Sequence, residues 1–139
     1  MEQLINESID LNTLFNKPPI TSYGFTRLLF AKLSILGQQI VTRDTIVKRV
    51  YALSQKEEYK ELLDDIGFRV FIDSVSSQEL EDGISSLQTF GMIGKINPTF
   101  EKVIIFITDD MANTIIGEYD KNISRIMDDF VSDFMKIEG

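Results

Sequence analysis

Residues 76–107 read SSQELEDGISSLQTFGMIGKINPTFEKVIIFI, and their punctuation decides the fold. Ser76 followed by Glu79 forms a capping box, and Leu80, Ile84, Leu87 and Phe90 then repeat at helical spacing. Gly91 sits where a helix ends in a left-handed residue. Met92 to Ile96 predicts a strand, Asn97-Pro98-Thr99-Phe100 a turn, and Val103 to Ile107 a second strand. Helix, strand, turn and strand make one supersecondary unit.

Upstream, Thr21 or Ser22 can cap a helix from about Tyr23 to Leu36, stopped by Gly37. Gln39-Ile40-Val41 predicts one short strand. Thr42 then precedes a helix from Arg43 to Ser54, with Ile46, Val47, Val50 and Leu53 inward and Arg43, Lys48 and Arg49 solvated. Lys56 to Ile66 predicts a further helix ended by Gly67, and Phe68 to Ile72 a short strand. Residues 1–20 form a leader closed by Pro18-Pro19. Its Leu4, Ile5, Ile9, Leu11, Leu14 and Phe15 predict that it packs rather than stays free.

Downstream, Thr108 caps one continuous helix reaching about Lys136, with Gly117 only weakening it. Ile116, Tyr119, Ile123, Ile126, Phe130 and Phe134 follow in steps of three and four, a narrow apolar seam that suits another helix. A helix of about 28 residues would be about 42 Å long, more than a small domain covers. The seam therefore has two readings, packing on its own domain or meeting another chain. The second is expected for part of its length, with Phe130, Phe134 and Met135 as anchors.

The 139 residues suit one domain, divided as a leader (1–20), a body (21–108) and a C-terminal helix (109–139). The fold class is α+β and mainly helical, with a β-hairpin and a long C-terminal helix. No Cys and no His occur, which excludes thiol nucleophiles, His general bases and ordinary zinc sites. Apolar runs such as Val103 to Ile107 are too short for a bilayer, and residues 1–20 lack a basic n-region. A cytoplasmic protein with no membrane contact is expected. The net charge of −8 disfavours general nucleic-acid binding while allowing a local basic patch.

The run from Leu80 to Ile107, with the helices before it, resembles a winged-helix domain over about residues 23–107. A helix and strand are inserted between the second and third helices. The helix after the wing is similar to the dimerisation helix of several regulator families. That family implies either a DNA reader or a protein-interaction module. In the DNA readers the third helix enters the major groove. Here it exposes Gln78, Glu79, Glu81, Asp82, Ser85, Ser86, Gln88 and Thr89, three acids and no base. Lys95 and Lys102 in the wing are offset by Glu101. The positive candidates left are those of the first two helices, Arg27, Lys32, Arg43, Lys48 and Arg49, of which Arg43, Lys48 and Arg49 are the nucleic-acid candidates. The body as a whole is similar to the accessory middle components of bacterial three-component ABC-ATPase or SMC-like systems. That likeness implies a partner subunit and no chemistry.

Chemical motifs are weak. Glu58-Tyr59-Lys60 spells the E-x-K of a metal-dependent nuclease, but on a helix Glu58 and Lys60 diverge. Acidic doublets such as Asp128-Asp129 diverge by the same rule, and no calcium-loop spacing occurs. Gly91-Met92-Ile93-Gly94 lacks the trailing Lys-Ser/Thr of a phosphate loop. The expectation is a non-enzymatic interaction subunit of a bacterial complex, without cofactor or metal, joined to a protein partner or a second copy. The alternatives are a dimeric DNA-binding regulator and a metal-dependent nuclease.

Overall fold

Thr21 opens the first helix, α1 (Ser22–Ile35), by accepting a hydrogen bond from the Gly24 N–H at 3.0 Å. In this computed structural model the structure describes residues 20–95 and 101–137. The leader up to residue 19 and the turn expected at 97–100 lie outside the described residues. Helix α1 is the central element. It buries Phe25, Leu28, Leu29, Phe30 and Leu33, which surround its axis instead of lining one stripe, as a helix enclosed by others requires.

Gly37, at φ 84°, turns the chain out of α1 into β1 (Ile40–Thr42). Thr42 then caps α2 (Arg43–Ser54) by accepting from the Thr45 N–H, and Ile46, Val47, Val50 and Leu53 face inward as their spacing predicts. The expected helix over Lys56 to Ile66 is corrected to a 3-10 turn (Glu57–Tyr59) and a single turn, α3 (Lys60–Leu63). The expected strand at Phe68 to Ile72 shrinks to β2 (Arg69–Val70), paired antiparallel with β3 (Val75–Ser76).

Ser76 is occupied in that pairing, so the cap of α4 (Gln78–Thr89) falls to Ser77, which accepts from the Leu80 N–H at 3.3 Å. Glu79 does not close a capping box. Its Oε1 accepts from the Gly67 N–H at 2.8 Å instead. Leu80, Ile84 and Leu87 are buried, and Gly91 ends the segment at φ 75°. Strands β4 (Ile93–Lys95) and β5 (Lys102–Ile105) then pair antiparallel, and β1 adds to the other edge of β5 in the order β1-β5-β4.

The single helix expected after Thr108 is corrected to two, α5 (Asp109–Gly117) and α6 (Lys121–Lys136). Gly117 ends the first, and Asp120 starts the second by accepting from the Asn122 N–H at 3.2 Å. Side chains of both helices belong to the same hydrophobic core as residues 20–107. The protein is thus α+β and mainly helical, with a small antiparallel sheet at one side.

The crossing of α1 and α4 depends on Gly83. A Cβ there would lie 2.6 Å from Thr26 Oγ1 and 2.9 Å from Thr26 Cβ, and Thr26 is fully buried. Gly83→Ala gains about 1 kcal/mol in helix propensity. Against that stands overpacking on a stiff β-branched side chain, which costs about 1–3 kcal/mol. The urea midpoint of Gly83→Ala is therefore expected to fall, and the fall should shrink in a Thr26→Ala background by a coupling of about 1 kcal/mol. An unchanged midpoint would contradict the close crossing.

Candidate interaction surface

The six seam residues turn inward. Ile123, Phe130 and Phe134 are buried in the chain's own core, and Ile116, Tyr119 and Ile126 are half-buried against it. Ile123, Phe130 and Phe134 thus pack on their own domain, the first of the two readings of the seam, because the break at 118–120 folds α6 back along α1. Arg27 meets Glu118 at 2.5 Å, while Lys32, five residues on, meets Asp128 at 2.7 Å and Ser124 Oγ at 2.8 Å. Helix α6 thus runs parallel to α1. Phe130 anchors it, with ring centroids 5.3 Å from Phe25 and 5.1 Å from Tyr59, both edge-on.

The basic candidates are likewise engaged at home. Arg43 pairs with Glu81, and Lys48 with Asp44 at 2.8 Å, four residues apart on α2. Arg49 donates to the Phe134 carbonyl at 3.2 Å, with its guanidinium 5.3 Å from the Phe134 ring centroid. Arg49 thereby ties the end of α6 to α2. Lys60 pairs with Glu57 at 2.7 Å, and Glu58 is exposed on the 3-10 turn. Among the described residues no cluster of three acidic side chains could hold a metal ion, and no helix is long and apolar enough to cross a membrane.

Among the described residues the fold leaves several large apolar side chains uncovered. In the sheet Ile40, Ile104 and Gly94 are register partners and so share one face; Phe106 follows Ile104 by two residues and lies on it too. Val103 and Ile105 take the inner face. On the outer face Ile40 and Phe106 are each 53% exposed, and a Cβ on Gly94 would fall 2.8 Å from the Phe106 ring. The glycine gives the ring a flat seat on the backbone. Leu36, just before the Gly37 turn, adds a further exposed apolar side chain. A second patch is the tip of the β2–β3 hairpin, where Val70 and Phe71 are largely exposed and Ile72 fully so.

These surface residues escaped the sequence reading, yet one signal was present. A hairpin with one solvated face alternates apolar and polar residues, and Val103-Ile104-Ile105-Phe106-Ile107 does not alternate. Both faces of that strand ask for cover.

Beside the sheet lies a groove of about 660 Å³. Lys32 and Ile35 of α1 with Leu36 just beyond it form its floor, Ile116 of α5 one wall, and Val131 and Met135 of α6 the other. Ser34 donates to the Ile107 carbonyl while Arg27 holds Glu118, so α5 runs antiparallel to α1. The groove therefore lies between α5 and α6, which run in opposite directions along α1.

Comparison with models of protein families, with curated proteins and with solved structures gave no match.

The anchoring of α6 carries a pH signature. The Tyr59 hydroxyl donates to Asp133 Oδ2 at 2.5 Å. That bond, and Lys56 nearby, hold the Asp133 carboxyl below its usual value, while burial first and Asp133 second push the Tyr59 phenol upward. Asp133 stabilises the fold above the unfolded carboxylate pKa of about 3.9, and loses that contribution as pH falls through its lower folded value. Tyr59 favours the fold below about pH 10; above it the unfolded phenol ionises and stability declines. Tyr59→Phe should cost about 1–2 kcal/mol at neutral pH and flatten both limbs of a urea-midpoint-versus-pH curve. Unchanged limbs would show that the bond is not formed.

Proposed function

We propose that this chain is a non-enzymatic accessory subunit of a bacterial multiprotein complex, cytoplasmic and built on a winged-helix-like domain. It meets its partner protein through the outer face of the three-stranded sheet. The observation that carries this reading is the apolar face of Ile40, Ile104 and Phe106, which no described element covers. Such a contiguous apolar face is costly in water and is a usual mark of a protein-binding surface.

The topology supports the winged-helix likeness. Helices α1, α2 and α4 precede an antiparallel hairpin, and the strand between α1 and α2 completes the sheet. Electrostatics favour a protein over DNA. Arg43, Lys48 and Arg49 would have to give up partners within the chain before meeting phosphate. Glu79, Glu81 and Asp82 would bring like charge against the duplex. The partner is a different polypeptide presenting an apolar patch, since the seam first expected to pair two copies lies largely in the core.

Two measurements test this. Fluorescence anisotropy with duplex DNA at low salt should give no binding; salt-sensitive binding would instead support a DNA-binding regulator. Affinity capture from the native cytosol should recover a partner with the wild-type chain and lose it with Phe106→Asp, while Ser85→Asp on α4 retains it. Phe106 is half exposed, so its variant should keep the wild-type circular dichroism. Equal recovery by both variants would overturn the assignment of the sheet face.

A further inference from the structure

The two ends of the outer sheet face differ in charge. Alternation along β5 and beyond it puts Lys102, Ile104 and Phe106 on that face, so one end is marked by Lys102 and the other by Phe106. At the first end Lys102 follows Glu101 in sequence, and the two charges offset. At the second, the Phe106 N–H donates to the Met92 carbonyl at 2.9 Å, which sets Met92 directly across from Phe106. Met92, Met111, Thr114 and Asp110 line a depression of about 310 Å³, and Met111 is itself exposed. The apolar surface thus continues past Phe106 toward the start of α5.

Charge at that end is one-sided. Asp109 and Asp110 are both exposed, and neither carboxylate has an ion pair or hydrogen bond among the described residues. Arg27, the cation that reaches the depression, is already held by Glu118 through both terminal nitrogens, at 2.5 and 3.2 Å. The N-terminus of α5 adds about half a positive charge, which two carboxylates outweigh.

We propose that the partner segment seated on this face is cationic and amphipathic. Its apolar side chains lie on Ile40, Ile104 and Phe106, and a Lys or Arg crosses Met92 and Met111 to meet Asp109 and Asp110. This inference rests on the sheet-face reading and adds the chemistry of the partner to it. A Lys or Arg suits the place because its methylene stem covers the thioethers while its charged head stays at the rim. A nucleic acid or an anionic membrane would bring like charge to the same acids. A second copy turned end for end would offer them only Lys102, accompanied by Glu101, on a chain of net charge −8.

The test is a library of random peptides displayed on phage and selected on the full-length chain, each enriched sequence then being assayed against variants. Peptides that bind the wild type and lose binding to Phe106→Asp should combine apolar residues with net positive charge. Their affinity should fall about tenfold for the double variant Asp109→Asn with Asp110→Asn. It should hold for Glu61→Gln with Asp64→Asn, an equal loss of charge at exposed positions in and beside α3. Thr108 still caps α5 in the first double variant, so its circular dichroism should match the wild type. Phe106-dependent peptides that are neutral or acidic, or that ignore the change at Asp109 and Asp110, would overturn the proposal and leave the sheet-face reading standing. Enriched peptides of which none depends on Phe106 would overturn both. Sedimentation of the wild-type chain should give a monomer; a dimer dissociated by Phe106→Asp would make a second copy the occupant and overturn the proposal.

Discussion

The ring of Phe130 is the contact on which the arrangement of the helices depends. It is fully buried, edge-on to Phe25 of α1 and to Tyr59 of the 3-10 turn, and stacked on Phe134 at 6.4 Å. Three elements far apart in sequence thus converge on one side chain. Truncating such a phenylalanine removes about 3–5 kcal/mol, against a total stability of about 5–15 kcal/mol for a domain. Around it the polar ties are peripheral: Tyr59 to Asp133, Arg49 to the Phe134 carbonyl, Lys32 to Asp128 and Arg27 to Glu118. They orient α6 along α1, while burial of Ile123, Met127, Phe130, Val131 and Phe134 holds it there.

The surface follows from this inward turn. With much of the seam in the core, the exposed large apolar side chains among the described residues lie on the outer sheet face, in the groove, at the hairpin tip, and at Phe90 and Met111. The basic residues of α1 and α2 are drawn toward carboxylates and carbonyls of the same chain. A net charge of −8 without a concentrated basic stripe gives little attraction to a polyanion. That combination of apolar patches and paired cations is what supports the proposed protein-binding role over DNA binding.

Local features were legible where a single residue type dictates the backbone. Thr21, Thr42 and Thr108 cap helices as their positions predict, and Gly37 and Gly91 take positive φ. The buried face of α2 follows its spacing residue for residue. What misled was competition between equal signals. Ser76 and Ser77 are both competent caps, and β3 pairing decided between them. Gly117 in a long apolar repeat weakens a helix by only about 1 kcal/mol; Asp120 restarting it is evident only once the fold gives α6 somewhere to turn. The seam was correctly periodic, but periodicity states that a face is buried and not against what. The sheet face was legible in the unbroken apolar run at 103–107, whereas the groove, built from three helices, is a product of packing alone.

The central claim is that α6 is an integral part of the core and not an arm offered to another chain. Native-state hydrogen exchange tests it directly. Amides of α6 around Met127 to Val131 should open only with global unfolding, at the same free energy as those of α1 around Leu28 to Ala31. Fast exchange in α6 with α1 still protected would contradict the account, and would return the seam to the surface as an interface.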